Sequence, residues 1–465
     1  MRGLYPRLHS RLGVCDVEGL GDEDQIWDGG TMSDQYQHLS REEVMNAHRI
    51  PASDSPDSLP VAQAYNPFSP AQTAAPYPFF ARARRETPVF YSAPLHMWIV
   101  TRHDDIVAIL RDPVRFSSAD SLRINTALTP EARAVWQERY PRGGMLVDDD
   151  PPVHTRYRAF VNKAFTPRRV AGMEPHIRRI AHTLIAGFVQ DGKADLVRQF
   201  AYPLPMIVIA EVIGVPYSEM DTVKQWCDDW SLLISGDVTA EGQAKCARSI
   251  IAWQRYVASL VEQRMQTPAP DLITSLVEAR VDGEAPLTVP EIVNMLMSVM
   301  FAGHETTTKL IASAVGHLLR HPEQWQALRD NPNLTSNAVE ETFRWDSPLQ
   351  AMPRTTTEEV DIAGQHLPKG AILLLMFGSA NRDEVHGIQP DGFDIRRQPI
   401  DHLGLGRGIH YCMGAPLARL EARIALETLS QDLRNLRLQP GQPLAYVPNL
   451  LLRGLQSLPV EWDVA

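Results

Sequence analysis

The sequence predicts a mostly helical fold with a smaller β region. From Met173 onward, segments with helical hydrophobic spacing follow one another and are separated by short breaks at glycine or proline. The longest apolar helical pattern runs from Pro290 to Leu319. Only short segments have the composition of strands, and the first two are Pro88–Tyr91 and Met97–Val100. Helices therefore form most of the predicted core.

Length, charge and cysteine usage exclude several classes of protein. The chain has 465 residues, 44% of them hydrophobic, so it can bury a large core, and length alone would suggest two or three domains. A formal net charge of −11 argues against a nucleic-acid partner. Four cysteines without paired spacing do not form a disulfide framework, which fits a reducing cytosol. No apolar run resembles a signal peptide or reaches the ~20 residues that span a bilayer, so we expect a cytoplasmic protein without a membrane span.

The first 65 residues are predicted to be a flexible tail. Residues 1–60 contain eleven Asp or Glu, five Arg and no Lys, with little apolar periodicity. Met32 is an alternative start. We expect regular structure to begin at Pro76, within a domain that comprises residues 66–465.

Two helices are predicted in the region that follows the first strands. Asp104–Arg111 has a helical pattern, and Asp104 is its expected N-cap because a short acidic side chain accepts hydrogen bonds from free N–H groups. Two prolines open the second helix, which carries His154 and Arg158 four residues apart and therefore on one face. These two residues are either an ordinary surface pair or part of a binding site.

The long apolar helix contains three consecutive threonines, Thr306 to Thr308. Branching at Cβ makes threonine a poor helix former, so the run calls for a reason. Ala302 and Thr306 lie one turn apart on the same face, where a small residue lets the backbone approach a flat cofactor and a hydroxyl can bind a ligand. The alternative is a buried helix whose threonine hydroxyl bonds to the preceding turn.

A further pair, Glu341 and Arg344, lies three residues apart on a predicted helix. Exposed pairs of this kind stabilise a helix by only ~0.2–0.5 kcal/mol. If the pair is buried, it is structural, and breaking it costs ~3–5 kcal/mol. Arg354 follows in an extended segment, and Ile372–Met376 is predicted to be a buried strand.

The stretch from His402 to Glu421 contains one cysteine, Cys412, among glycines at positions 404, 406, 408 and 414. Glycine permits positive φ and close backbone approach, so a tight loop is expected to press the cysteine against something flat or bulky. A helical pattern, Ala415–Leu429, follows directly. The cysteine is a buried thiol, a zinc ligand or an axial thiolate on haem iron. The glycines disfavour the first alternative, and the lack of a C-x-x-C pair disfavours the second.

The motif Leu405-Gly-Arg-Gly-Ile-His-Tyr-Cys412-Met-Gly414 resembles the cysteine loop of the cytochrome P450 monooxygenases, F-G-x-G-x-[HR]-x-C-x-G. One position departs, because Leu405 stands where the family has Phe. The stretch Ala302-Gly-His-Glu-Thr-Thr307 resembles the family's [AG]-G-x-[DE]-T-[TS] motif, and Glu341-x-x-Arg344 resembles its E-x-x-R helix. Other stretches, including Pro76–Ser92, resemble the haem domains of self-sufficient members that are fused to a reductase.

The resemblance implies a single haem domain with the mostly helical P450 fold, carrying haem b (iron protoporphyrin IX). Thr306 is implied in oxygen activation, with Glu305 in the proton relay, and four side chains are implied at the haem propionates. Leu405 is implied against the thiolate side of the haem. The implied site residues are Cys412 as metal ligand; Thr306 and Glu305 as catalytic groups; His154, Arg158, Ala302, Arg354, His410, Leu405 and Gly406 at the cofactor; and Glu341 and Arg344 as a structural pair.

The implied function is a haem-thiolate monooxygenase that inserts one atom of dioxygen into a largely apolar organic small molecule. No G-x-G-x-x-G motif follows a strand and no ferredoxin-type cysteine cluster is present, so we expect a separate ferredoxin and an NAD(P)H-dependent reductase as partners of a monomer. Their docking surface is expected on the cysteine side, on a basic patch of Arg156, Lys163, Arg168, Arg407, Arg419 and Arg423.

Two other functions are open at this point. A peroxide-driven peroxygenase of the same fold usually lacks the acid–alcohol pair, so Glu305 and Thr306 argue against it. A non-enzymatic haem-binding sensor has no need of a proton relay.

Overall fold

The computed structural model describes residues 59–122, 128–164, 166–235 and 238–464. In these ranges the fold is mostly helical with a smaller β region, as predicted. The α-helices are α1 Val61–Ala64, α2 Pro70–Ala74, α3 Tyr77–Glu86, α4 His103–Leu110, α5 Pro130–Trp136, α6 Val153–Ala164, α7 Pro167–Gly172, α8 Glu174–Ala186, α9 Pro203–Ile213, α10 Met220–Ser235, α11 Ala240–Gln266, α12 Leu272–Glu278, α13 Val289–Arg320, α14 Pro322–Asp330, α15 Thr335–Trp345, α16 Phe377–Ala380 and α17 Ala415–Asp432.

The strands form three small sheets. They are β1 Val89–Ser92, β2 Met97–Val100, β3 Phe116–Ser117, β4 Lys193–Asp195, β5 Ala351–Thr356, β6 Val360–Ile362, β7 Gln365–Leu367, β8 Ile372–Met376, β9 Arg437–Leu438 and β10 Pro459–Glu461. The largest sheet has the order β1-β2-β8-β5-β3, in which only the β2–β8 pair is parallel. Every residue of β8 is buried, and β8 places Leu373 opposite Arg354 of β5. The sheet therefore places a cationic residue beside its central strand.

Helix α13 is the longest helix of the described chain and connects two hydrophobic clusters. Thr288 and Glu291 form a capping box at its start, which satisfies free N–H groups of the first turn. Its first half, from Ile292 to Met300, packs with α10 and α11. Its second half, from Leu310 to Leu318, packs with α8 and α17. The stretch between the two halves, residues 301–309, carries the predicted acid–alcohol motif.

The start of the folded domain differs from the expectation. Helices α1 and α2 precede Pro76, where regular structure was expected to begin. Val61 and Tyr65, in the last part of the predicted tail, are 3% and 1% exposed because they pack with aromatic residues of α3 and β1. The rest of that predicted tail, residues 1–58, lies outside the described residues.

The predicted N-cap of α4 is wrong. The helix begins at His103, one residue earlier than expected, and no side chain of its own N-cap residue accepts a hydrogen bond. Instead, the carboxylate of Asp383 accepts a hydrogen bond from the backbone N–H of His103 at 3.0 Å. Asp104 lies in the first turn, where a negative charge still interacts favourably with the helix dipole.

Within the described residues, no helix has the combined length and apolar content that crossing a membrane requires.

Candidate functional site

The cysteine loop is a tight turn that ends on α17. The backbone N–H of Cys412 donates to the carbonyl of Leu405 at 2.9 Å, which closes the loop. Gly406 and Gly408 have φ of +68° and +72°, a region that L side chains rarely adopt. A Cβ at position 408 would also lie 2.4 Å from the carbonyl oxygen of Leu110. The loop conformation therefore requires glycine at 408.

The environment of the sulfur opposes and supports a negative charge at the same time. Burial raises the pKa of the Cys412 thiol. The backbone N–H groups of Gly414 and Ala415, at the start of α17, and the guanidinium groups of Arg158 and Arg419 act in the other direction. The side chain of Leu405 is buried in the adjacent core cluster, against which Cys412 packs. The raised pKa indicates that a stable thiolate here needs a coordinating cation.

Four predicted cofactor-binding side chains lie together beside this loop. The rings of His154 and His410 are 4.4 Å apart between centroids. Arg158, one turn after His154 on α6, donates to the carbonyl of Tyr411 at 2.9 Å. Arg354 lies on β5, and its positive charge helps to lower the pKa of the His410 imidazole. Three separate parts of the sequence thus supply one cluster of donors.

This cluster is electrostatically incomplete. Burial lowers the pKa of Arg354 to about 10, although the charge of Asp150 opposes this shift, and the guanidinium donates to the carbonyl of Pro353 at 2.6 Å. Burial, and then the charges of Arg354, His154 and Arg158, lower the pKa of His410 to about 3. Both ring nitrogens of His154 are buried without a hydrogen-bond partner in the described structure. Buried donors of this kind are normally satisfied, so the cluster fits a group that carries carboxylates.

The middle of α13 carries the acid and the alcohol. The hydroxyl of Thr306 donates to the carbonyl of Ala302 at 2.8 Å, which is the back-bonded arrangement of the alternative interpretation. Ala302 is exposed although its neighbours His304 and Thr307 are buried, so this face of the helix borders an open space. A Cβ at Gly303 would lie 2.7 Å from Ile209 of α9, so close helix packing also accounts for that glycine.

Glu305 does not bond to Thr306 in this structure. Its carboxylate forms an ion pair with Lys309, one turn further along α13. Burial by itself would raise the pKa of Glu305, but the charges of Lys309 and His304 outweigh burial and lower it. The predicted acid is therefore held as a carboxylate.

Glu341 and Arg344 form a buried bidentate ion pair on α15. The guanidinium donates to the two carboxylate oxygens at 2.7 and 2.8 Å, and the side chains are 0% and 6% exposed. Arg344 also donates to the carbonyls of Asn381, Pro390 and Gly392. The pair therefore fixes the segment 381–392 that precedes the cysteine loop.

Comparison with known proteins identifies the family. A family model for cytochrome P450 matches residues 253–450. The cytochrome P450 monooxygenase PikC of Streptomyces venezuelae is 37% identical over 397 residues, which are 84% of this chain and 91% of that protein. The vitamin D(3) 25-hydroxylase of Pseudonocardia autotrophica is 36% identical over 394 residues, or 83% and 93% of the two chains. The chain belongs to the cytochrome P450 family.

The solved structure of an intact type IV self-sufficient cytochrome P450 monooxygenase has the same fold, with a TM-score of 0.83 and 33% identity. The match covers 87% of this chain and 53% of that chain. This is the class of P450 to which the sequence was expected to be similar.

This cytochrome P450 is a haem-thiolate monooxygenase that acts on organic compounds with redox partners. Its cofactor is haem b with a cysteine thiolate as axial ligand. The described residues fit that group. The propionates would supply the carboxylates that Arg354 and His154 lack, and the iron would supply the cation that a thiolate at Cys412 needs.

The expected basic patch of this P450 is largely neutralised. Acidic side chains pair with Arg156, Arg407, Arg419 and Arg423. Lys163 donates to a backbone carbonyl. The cysteine side is therefore less basic than the sequence suggested, because Arg156, Arg419 and Arg423 lie beside acids that are distant in sequence.

Three residues near the site were missed in the sequence. The role of Lys309 could have been predicted, since a lysine that lies within an apolar helix and four residues after Glu305 is positioned to pair with it. No sequence pattern predicts the contact of Gly454 with Lys309. A Cβ at position 454 would lie 2.3 Å from Cγ of Lys309, so this glycine makes room for the lysine side chain. Ser118 lies 2.8 Å from Nε2 of His410, and only the fold brings those residues together.

Proposed function

We propose that this cytochrome P450 oxidises a bulky, largely apolar organic molecule, using electrons from a separate ferredoxin and an NAD(P)H-dependent reductase. The buried donor cluster beside the cysteine loop carries the proposal, because the buried guanidinium of Arg354 and the unpartnered ring nitrogens of His154 fit the haem propionates. The ring of Phe301, next to Ala302 on α13, lies 5.2 Å from that of Trp230 on α10, which supports an apolar surrounding for the substrate. The vitamin D(3) 25-hydroxylase among the relatives supports a bulky substrate.

Each residue of the cluster has a defined part in holding the cofactor. Cys412 would bind the iron through its sulfur, and Gly406 and Leu405 would support the loop behind it. His154, Arg158, Arg354 and His410 would donate to the propionates. Ala302 would let the backbone of α13 lie against the flat face of the macrocycle.

Oxidation of the substrate consumes dioxygen, two electrons and two protons and yields the hydroxylated product and water. Bound haem supplies the dioxygen activation and the oxygen transfer. The side chains of the chain supply proton handling: the Thr306 hydroxyl can accept a hydrogen bond on its oxygen while its own O–H donates one to the Ala302 carbonyl. Glu305, held as a carboxylate by Lys309, accepts protons from solvent and passes them on through water.

The relay is tested by removing the cation beside Glu305. In Lys309→Met, burial is no longer opposed by Lys309, so the pKa of Glu305 rises. We expect the acidic limb of the pH profile of substrate oxidation to move to higher pH by ~1–3 pH units. Over the same pH range, the amount of product formed per NAD(P)H consumed should also fall. Lys309→Arg retains the charge and serves as the matched control; an unchanged profile in Lys309→Met would remove Lys309 and Glu305 from the relay.

The electron source is tested by reconstitution. We expect turnover with a [2Fe–2S] ferredoxin, its reductase and NAD(P)H. Turnover with hydrogen peroxide alone, and none with the redox chain, would identify a peroxygenase. Oxidation of no compound with either system, despite haem binding, would favour a sensor.

The docking surface for the ferredoxin is proposed on the cysteine side, where Lys163 and Arg168 are exposed. The double variant Lys163→Glu and Arg168→Glu should slow reduction by ferredoxin at low ionic strength and leave reduction by dithionite unchanged. Lys369→Glu, in the turn before β8, is the control. Equal rates in the double variant and the control would place the docking surface elsewhere.

The substrate is sought by a spectral screen of apolar compounds against the haem-loaded chain. Displacement of water from the iron shifts the Soret band, so a hit is recognised without turnover. We also propose that the protein is a monomer located in the cytoplasm. Size-exclusion chromatography with light scattering measures its oligomeric state.

A further inference from the structure

Three metal-ligating side chains meet outside the haem site. They are His103 and Asp104, at the start of α4, and His386, in the segment that leads to the cysteine loop. One ligand atom of each residue lies within 4.8 Å of the others. The carboxylate oxygen Oδ1 of Asp104 is 2.8 Å from Nε2 of His386 and 3.3 Å from Nδ1 of His103.

Hydrogen bonds from the backbone to one carboxylate hold the segments that carry these three side chains close together. The carboxylate of Asp383 accepts hydrogen bonds from the N–H of His103 at 3.0 Å and from the N–H of Val385 at 3.2 Å. A single buried acid therefore joins the start of α4 to the turn that carries His386. The two imidazole rings lie 4.1 Å apart between centroids as a result. The side chain of His103 is 8% exposed, whereas those of Asp104 and His386 are 75% and 38% exposed, so solvent reaches the cluster.

The donor atoms of the cluster determine which cation it could hold. Two imidazole nitrogens and one carboxylate oxygen are a donor set that suits zinc-like divalent ions, whereas Mg²⁺ and Ca²⁺ prefer oxygen ligands.

We propose that His103, Asp104 and His386 form a binding site for a divalent transition-metal ion of the zinc class, with water in the remaining coordination positions. The ion would link α4 to the segment 381–392, which Arg344 anchors from the other side. Its role would be to fix this segment, and it is independent of the haem chemistry.

The site is tested by zinc titration of the haem-loaded full chain, prepared without a polyhistidine tag and treated with chelator. Isothermal titration calorimetry with Zn²⁺ should give a stoichiometry near one, and Mg²⁺ should give no saturable binding. Asp104→Asn and His386→Ala should each lower the zinc affinity at least about tenfold. Zinc should raise the thermal midpoint of the wild type but not that of His386→Ala.

His366→Ala is the matched control. His366 also lies between two acids on an exposed hairpin, but Asp361 and Glu359 face different ring nitrogens, so these groups share no common ligand point. Zinc affinity should be unchanged in this variant. No saturable zinc binding by the wild type, or equal affinity in the wild type, Asp104→Asn and His386→Ala, would overturn the proposal. Asp104→Asn is largely exposed and keeps the test valid if His386→Ala fails to fold.

Discussion

At the scale of single residues, the donor cluster beside the cysteine loop shows a conflict between stability and binding. Arg354 is a buried cation that forms no ion pair in the described structure, although the charge of Asp150 acts on it, and the two ring nitrogens of His154 have no hydrogen-bond partner. Burying such groups destabilises a protein unless something else satisfies them. The free-energy cost of burying both groups is offset if a bound anion accepts their hydrogen bonds.

Arg354→Met separates those two effects. We expect the variant to bind haem about 10–100-fold more weakly, because a charge-assisted hydrogen bond of ~1.5–3 kcal/mol is lost. The haem-free variant should unfold at a higher denaturant concentration than the haem-free wild type, because a buried unpaired charge is removed. Haem titration and urea unfolding measure the two quantities. Arg255→Met, in an exposed pair with Glu138, is the control and should change neither.

How far these residues were predictable depended on sequence distance. Motif positions such as Cys412 and Ala302 could be predicted because the chemistry requires particular residue types at short spacings. The pairing of Glu305 with Lys309 was local and readable, but the expectation centred on a link between Glu305 and Thr306. Contacts such as Gly454 against Lys309 join distant parts of the chain, so no local pattern reports them.

At the scale of elements, strong hydrophobic periodicity predicted which helices exist and approximately where they begin and end. The pattern Pro290–Leu319 corresponds to α13, Val289–Arg320, because a long apolar stripe fits only a buried helix. The start of α4 was predicted less well, since the group that binds its first N–H is Asp383 of a distant segment. Local capping rules do not describe a cap supplied by tertiary structure.

The cysteine loop allows an element-scale test of glycine. Gly408→Ala combines positive φ with a Cβ placed 2.4 Å from the carbonyl of Leu110. Gly370→Ala, in the turn before β8, has φ of +83° and nothing within 4 Å, so it carries only the conformational cost of ~1–2 kcal/mol. We expect both to lower the unfolding midpoint and Gly408→Ala alone to reduce the fraction of thiolate-ligated haem. Loss of ligation in both variants, or in neither, would contradict this account of the loop.

At the scale of the whole molecule, one buried carboxylate joins remote parts of the chain. Asp346, just after α15, accepts hydrogen bonds from Tyr77 of α3 at 2.5 Å and from Arg453 near the C-terminus at 2.7 Å, and it contacts His317 of α13 at 2.8 Å. Burial would raise the pKa of Asp346, but Arg453 and His317 outweigh burial and lower it strongly. The network fixes the N-terminal helices, α13 and the C-terminal turn to one another.

Asp346→Asn should lower the stability by ~3–5 kcal/mol at pH 7, because it leaves Arg453 as an uncompensated buried charge. Since the folded pKa lies below the unfolded value of about 3.9, the ionised carboxylate stabilises the fold fully above that pH. Its contribution decreases as the pH falls further toward the folded pKa. Urea unfolding of wild type and variant should therefore differ most near neutrality and converge at acid pH. Asp361→Asn, on the exposed hairpin, is the control, and a difference that persists undiminished at acid pH would contradict the assigned ionisation.

The central claim is that Cys412 binds the haem iron as a thiolate, and the reduced carbon monoxide complex tests it most directly. We expect the wild type to show the red-shifted Soret band of thiolate ligation and Cys412→Ser to lack it. Cys227→Ala and Cys246→Ala, which remove the other two thiols in the described residues, should retain the band. A red-shifted band in Cys412→Ser, or its loss in either control alone, would contradict the assignment of Cys412 as the ligand.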